Sequence, residues 1–165
     1  MDRPVPISPG PGQESVWDYP RPPRLEPTPR RLVVEHGGRT IADTTHGLRV
    51  VETSQAPGYY LPEADVDLTL LRAAAPQSFC EWKGVATYSD VVVGDAVAPA
   101  AAWTYLDPVP AFDGLRGHWA FYPQSLDRCL VDGELVRPME GGLYGGWVTD
   151  DIVGPIKGGS GTGFW

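Results

Sequence analysis

Three glycine turns, each flanked by alternating apolar residues, constrain this chain more than anything else in it. RLVVE, HGG and RTIADT follow one another from Arg31 to Thr44, and Gly37 and Gly38 permit the positive φ of a tight hairpin turn. KGVATYSDVVV and AVAPAAAWTYL meet at Gly94-Asp95, and CLV and ELVRP flank Asp132-Gly133. LRVVETS and HWAFYP read as further strands, and Pro62 breaks the ladder after YYL. Helical periodicity is almost absent: ADVDLTLL alone reads as a single helical turn. About eight short strands with regular turn signals predict an all-β fold, a sandwich, a barrel or folded antiparallel sheets.

Composition divides the chain into three regions. Residues 1–30 hold nine of the 18 prolines and form a proline-rich arm, extended along the surface or disordered, which Trp17 and Tyr19 could pin to the body. Residues 31–137 form the β domain. Residues 138–165 carry nine glycines together with Tyr144, Trp147, Phe164 and Trp165, so this extension is expected to pack rather than hang free. Its end, KGGSGTGFW, looks like a phosphate loop, but no strand delivers it and no helix follows. Phe164 and Trp165 are instead the expected anchor, onto the chain's own body or onto a second copy.

At 165 residues one domain is expected, and no apolar run approaches the roughly 20 residues of a membrane helix. The first residues lack a charged-then-apolar secretion signal, so a soluble cytoplasmic protein is expected. A net charge of -8 without a basic patch argues against nucleic acid. Cys80 and Cys129 are outside any C-x-x-C and read as small buried thiols; Cys80 as a nucleophile lacks a visible thiolate-stabilising partner. His36, in a turn, is expected to be exposed, and His36, His46 and His118 share no metal spacing, so neither metal nor other cofactor is expected.

GGRTIADTTHGLRVVETSQAPGYYLPEADVDLTLL, CEWKGVATYSDVVVGD, AAWTYLDPVP, GHWAFYP and VDGE, in that order, resemble the bacterial and fungal domain-of-unknown-function family numbered 427. The resemblance spans roughly 31–137. It implies a compact β-tent-like domain similar to methionine sulfoxide reductase B and the thalidomide-binding domain of cereblon. Those relatives carry zinc on paired C-x-x-C knuckles, which this sequence lacks, so the metal is not carried over. The family also bears a nucleotidyltransferase label. The residues give that label little: the D-x-D of Asp65 and Asp67 is what caps a short helix, and Gly159-Ser160 lies in the tail.

The richer constellation is aromatic and charged. Tyr60, Trp82, Tyr88 and Trp103 lie on or beside strands and are the expected lining of a small-molecule pocket, within a wider set that includes Tyr59, Tyr105, Trp119 and Tyr122. Glu52, at the end of LRVVE, and Lys83, retained in the family motif, are the candidate catalytic pair for acid–base chemistry. Strand alternation from Cys80 places Glu81 and Lys83 on one face, where the bland alternative is an exposed ion pair. Three functions remain open at this stage: a small-molecule-binding domain, with or without cofactor-free acid–base turnover of a small polar metabolite; a protein-interaction module that dimerises through the extension; and nucleotide binding or transfer.

Overall fold

A computed structural model gives the fold of residues 3–80 and 82–165, side chains at 76–79 excepted. The strands are β1 Glu14–Ser15, β2 Arg24–Thr28, β3 Leu32–His36, β4 Arg39–Thr44, β5 Gly47–Val51, β6 Gly58–Pro62, β7 Leu71–Cys80 and β8 Gly84–Val93. They continue as β9 Ala96–Thr104, β10 His118–Phe121, β11 Arg128–Val131, β12 Glu134–Leu135, β13 Arg137–Pro138, β14 Trp147–Val148 and β15 Ile152–Val153. The fold is all-β. An antiparallel seven-stranded sheet runs β2-β5-β6-β10-β9-β8-β7, and a four-stranded one runs β12-β11-β3-β4. Two short pairs, β1 with β15 and β13 with β14, tie down the ends of the chain.

The three hairpins follow their turn chemistry. Gly37 and Gly38 take φ of 57° and 78° between β3 and β4, and Asp132 and Gly133 take 49° and 82° between β11 and β12. Such positive φ is strained for most side chains and is what Asp-Gly and Gly-Gly supply. The ADVDLTLL segment makes two 3-10 turns rather than one, Glu63–Asp65 and Leu68–Leu70. The Asp67 carboxylate accepts from the Thr69 amide at 3.1 Å, and that of Asp65 accepts from the Thr44 hydroxyl at 2.7 Å. Both carboxylates of the D-x-D therefore serve local structure.

Two strands lie where proline argues against them. β2 belongs to the proline-rich arm, and β7 contains Pro76; both are edge strands of the large sheet, where a missing N–H costs little, while Pro99 of interior β9 lies at the slip in its register with β8. The β7–β8 register also slips between Ala73 and Gln77. The arm is thus built into the sheet from Arg24 onward rather than lying over it. His36 is buried rather than exposed, its ring nitrogen accepting from the Asp127 amide at 3.3 Å.

Alternation along the central strands sends residues to two faces. Tyr59, Leu61, Ala102 and Phe121 point toward the four-stranded sheet and meet Leu32, Val34, Ile41 and Cys129 in the main core. Tyr60, Trp103, Tyr105 and Ala120 point to the opposite face with Val50 and Ala86, where Phe112 and Leu115 of the 3-10 segment Pro110–Leu115 cover part of them.

The extension enters both layers. Trp147, 1% exposed, packs in the main core against Tyr59 and donates from its indole to the Phe121 carbonyl at 3.0 Å. Trp165 packs at 5.7 Å against Trp17 with the rings tilted by 59°, in a third cluster with Val16, Tyr19, Val51 and Ile152. The tail is therefore docked on its own chain. Phe164, expected as its partner anchor, is 87% exposed.

Candidate functional site

The second face of the large sheet is not fully covered. Tyr88 on β8 pairs directly with Trp103 on β9, which pairs with Ala120 on β10. Continuing the β10–β6 register by one residue sets Ala120 opposite Tyr60, which pairs with Leu48 on β5. One row of side chains thus crosses five strands. Two residues along in one direction the next row holds Val50 opposite Gly58, and in the other direction Tyr105 lies two residues beyond Trp103. Gly58 contributes no side chain, and a cavity of about 160 Å³ opens here.

Its floor is Val50, Gly58, Tyr60, Tyr88, Trp103, Tyr105 and Tyr122. Tyr122 packs at 4.4 Å on Trp103 and stacks nearly parallel to Tyr88 at 6.4 Å. Tyr60 meets Trp103 edge-on at 6.4 Å. Such tilted and edge contacts fix the rings as a rigid wall. Leu143, Tyr144, Gly145 and Gly146 of the extension form the rim opposite. The rim packs closely: a Cβ on Gly145 would lie 2.4 Å from the Trp103 ring, and one on Gly146 2.5 Å from the Ala56 carbonyl oxygen. The Lys157 ammonium stands 5.2 Å over the Tyr144 ring, holding the rim aromatic from behind.

Two charged residues predicted from sequence line this cavity together. Glu52 follows β5, and its carboxylate lies 3.4 Å from the Arg21 guanidinium. Arg21 also donates to the main-chain oxygens of Thr53 at 2.8 Å and Trp165 at 3.3 Å, so it is held from three sides. Lys83 sits in the β7–β8 turn, whose first bond runs from its amide to the Cys80 carbonyl at 3.2 Å. Alternation from Cys80 therefore does not apply: the chain is turning there, and the ammonium reaches the cavity from the turn. Among the described residues none forms a hydrogen bond or ion pair with that ammonium. Glu81, its expected partner, lies outside the described residues.

Of the expected lining, Tyr60, Tyr88 and Trp103 border the cavity, whereas Trp82 is half-buried against the same aromatic cluster without lining it. Tyr59 belongs to the main core and Trp119 packs at its edge. Arg21, Gln55 and Tyr144 went unrecognised as site residues. The period-2 pairing of Trp103 with Tyr105 was a readable signal, but nothing local could reveal that Arg21 reaches Glu52 from 31 positions away.

The buried tyrosines are weaker acids than free tyrosine. Burial pushes the hydroxyls of Tyr60, Tyr105 and Tyr122 well above the ordinary tyrosine range, with Lys83 pulling the other way at Tyr105. They stay protonated at neutral pH. Burial also raises the Cys129 thiol to about 12, so it is inert. Among the described residues no group of three His, Cys, Asp or Glu side chains is placed to hold a metal, and no helix is long and apolar enough to cross a membrane.

No curated protein matches the chain. A family model described as a domain of unknown function, DUF427, matches residues 24–132, from the first residue of β2 to the turn after β11. That span holds Glu52, Lys83 and every sheet-borne ring of the cavity, while Arg21 and the rim at 143–146 lie outside it. Matching about two thirds of the sequence in one continuous stretch, the chain belongs to the DUF427 family.

Proposed function

We propose that this chain is a small-molecule-binding β domain whose ligand sits against the second face of the large sheet. The observation that carries this reading is the convergence of Glu52 and Lys83, from different turns, on one cavity floored by Tyr60, Tyr88, Trp103, Tyr105 and Tyr122. Rigid aromatic walls with a few polar groups are the usual make-up of a ligand site. Any turnover is acid–base chemistry without a cofactor, Lys83 polarising or protonating a carbonyl-type group and Glu52 exchanging a proton with the substrate. Cavity size argues against nucleotide transfer, because about 160 Å³ is close to the roughly 150 Å³ that encloses a single benzene ring. A nucleoside triphosphate would lie mostly outside it.

The test is a screen of small polar metabolites by ligand-observed NMR, with the Trp103 indole resonance, assigned by Trp103→Phe, reporting the site. A hit is expected to lose binding in Lys83→Met, and Glu52→Gln is expected to retain binding and lose turnover. Hits that ignore both substitutions would place the ligand elsewhere and end this reading.

A second reading, an interaction module, draws on Phe164, which stands 87% exposed beside the docked Trp165. Size measurements on the full chain and on Phe164→Ser separate the two. A dimer that becomes monomeric on this substitution favours the interaction module, and a monomer in both favours the pocket.

A further inference from the structure

The balance of charge in the cavity narrows its ligand. Glu52 would ordinarily repel an anion, but the Arg21 guanidinium 3.4 Å away neutralises it, and Arg21 is itself fixed by the Thr53 and Trp165 main-chain oxygens. Lys83 is then the uncompensated charge, since none of the described residues pairs with its ammonium. Counting Glu52, Arg21 and Lys83, the site carries one net positive charge on a chain whose total is -8. The chain's overall field does not reverse this, because charges more than about 8 to 10 Å apart in solvent are largely screened at physiological salt. Inside the aromatic pocket the nearby lysine is screened much less.

A cation fits poorly. Aromatic faces do attract cations, but here the ligand would share the cavity with an ammonium that no described residue pairs. Tyrosine hydroxyls both donate and accept, so they can meet a carboxylate oxygen without themselves deciding the ligand's charge. Rigid rings on the floor and Tyr144 at the rim suit a flat molecule, and the volume suits one ring.

We infer that this site takes a small flat monoanion, a single-ring aromatic or heteroaromatic carboxylate, with its carboxylate on Lys83 and its ring against Trp103, Tyr60 and Tyr122. This rests on the preceding reading that the cavity is a ligand site. It also makes Arg21 a positioning residue: without touching the ligand, it cancels the charge of Glu52.

The experiment compares benzoate, its neutral isostere benzamide and the cation benzyltrimethylammonium, with binding followed by ligand-observed NMR and by the Trp103 indole resonance. Benzoate is expected to bind at least tenfold tighter than benzamide and the cation not at all. Lys83→Met should erase the difference between benzoate and benzamide, and a loss of benzamide binding as well would point to damage to the pocket instead. Arg21→Gln should weaken benzoate severalfold, and Glu52→Gln in that background should restore it. Failure of restoration would overturn the role of Arg21, because a merely loosened tail is not repaired by removing a carboxylate. Equal affinity for benzoate and benzamide, or a preference for the cation, would overturn the ligand class while leaving the pocket reading intact. If no compound in this set or in the metabolite screen disturbs Trp103, both fail.

Discussion

Replacing Trp147 by alanine tests whether the extension is part of the core or a covering laid over it. The side chain is 1% exposed, and a buried tryptophan removes on the order of 200 Å² from water. At about 25 cal/mol per Å² that is roughly 5 kcal/mol as an upper bound. Large-to-alanine changes at aromatic core sites cost about 3–5 kcal/mol, and the Phe121 carbonyl loses its donor as well. Against a total stability of about 5–15 kcal/mol this is severe. For a chain of this size each kcal/mol lowers Tm by about 2–4 °C, so a drop of roughly 6–20 °C is expected. Trp147→Phe, which keeps a ring against Tyr59 but gives up the indole N–H, should fall between the two. Urea denaturation followed by far-UV circular dichroism, with calorimetry for Tm, measures all three proteins. A Trp147→Ala protein within about 1 kcal/mol of the parent would refute the argument that residues beyond the family match complete the core. By the same logic, deleting 138–165 removes Met139, Trp147 and Ile152 from buried positions and should yield a chain that does not fold cooperatively.

Three other outcomes are expected. Gly145→Ala places a methyl 2.4 Å from Trp103 and 3.1 Å from Tyr122, and should cost about 1–3 kcal/mol by overpacking while weakening any cavity ligand, both readable from ligand-induced shifts in Tm. Burial pushes Glu14 up, but hydrogen bonds from Arg49 and Tyr19 outweigh it and hold the carboxyl below the ordinary glutamate value, as Arg49 and Arg24 do for Glu26. A folded-state value that is lowered gives stability present above the unfolded value and lost as pH falls through the folded one, so melts from pH 7 to 3 should show an acid-side decline that Arg49→Met flattens. Cys129, a buried thiol raised to about 12, should resist iodoacetamide at pH 8 in the folded chain and react in denaturant, as mass spectrometry would show.

The hairpins were readable because their cause is local: two residues at each turn decide the pairing of β3 with β4 and of β11 with β12. β2 and β7 were unreadable because their prolines come without a clear alternating apolar run, and only the assembled sheet shows that both lie at its edges. The segment at 80–84 misled in a similar way, since alternation presumes a continuing strand and the chain turns at Lys83. Glu52 and Lys83 could be nominated from residue type and position. Their environment could not, because Arg21, Tyr144 and the rim glycines arrive from distant parts of the chain. Trp165 was legible as an anchor, whereas Phe164, its neighbour and equal in composition, points outward.

Gly58 has a consequence for how the pocket could change. A methyl added there would meet the Tyr60 ring at 3.4 Å and the Tyr60 hydroxyl and Val50 carbonyl oxygen at 3.9 Å, all ordinary contacts. The backbone would accept alanine without strain, since its φ is not in the left-handed region. The cavity is therefore in part a side chain left out of the layer, and Gly58→Ala would shrink the space while leaving Glu52, Arg21 and Lys83 in place. Volume and charge can thus vary independently at this site, one through a single small residue on β6 and the other through a turn and an arm.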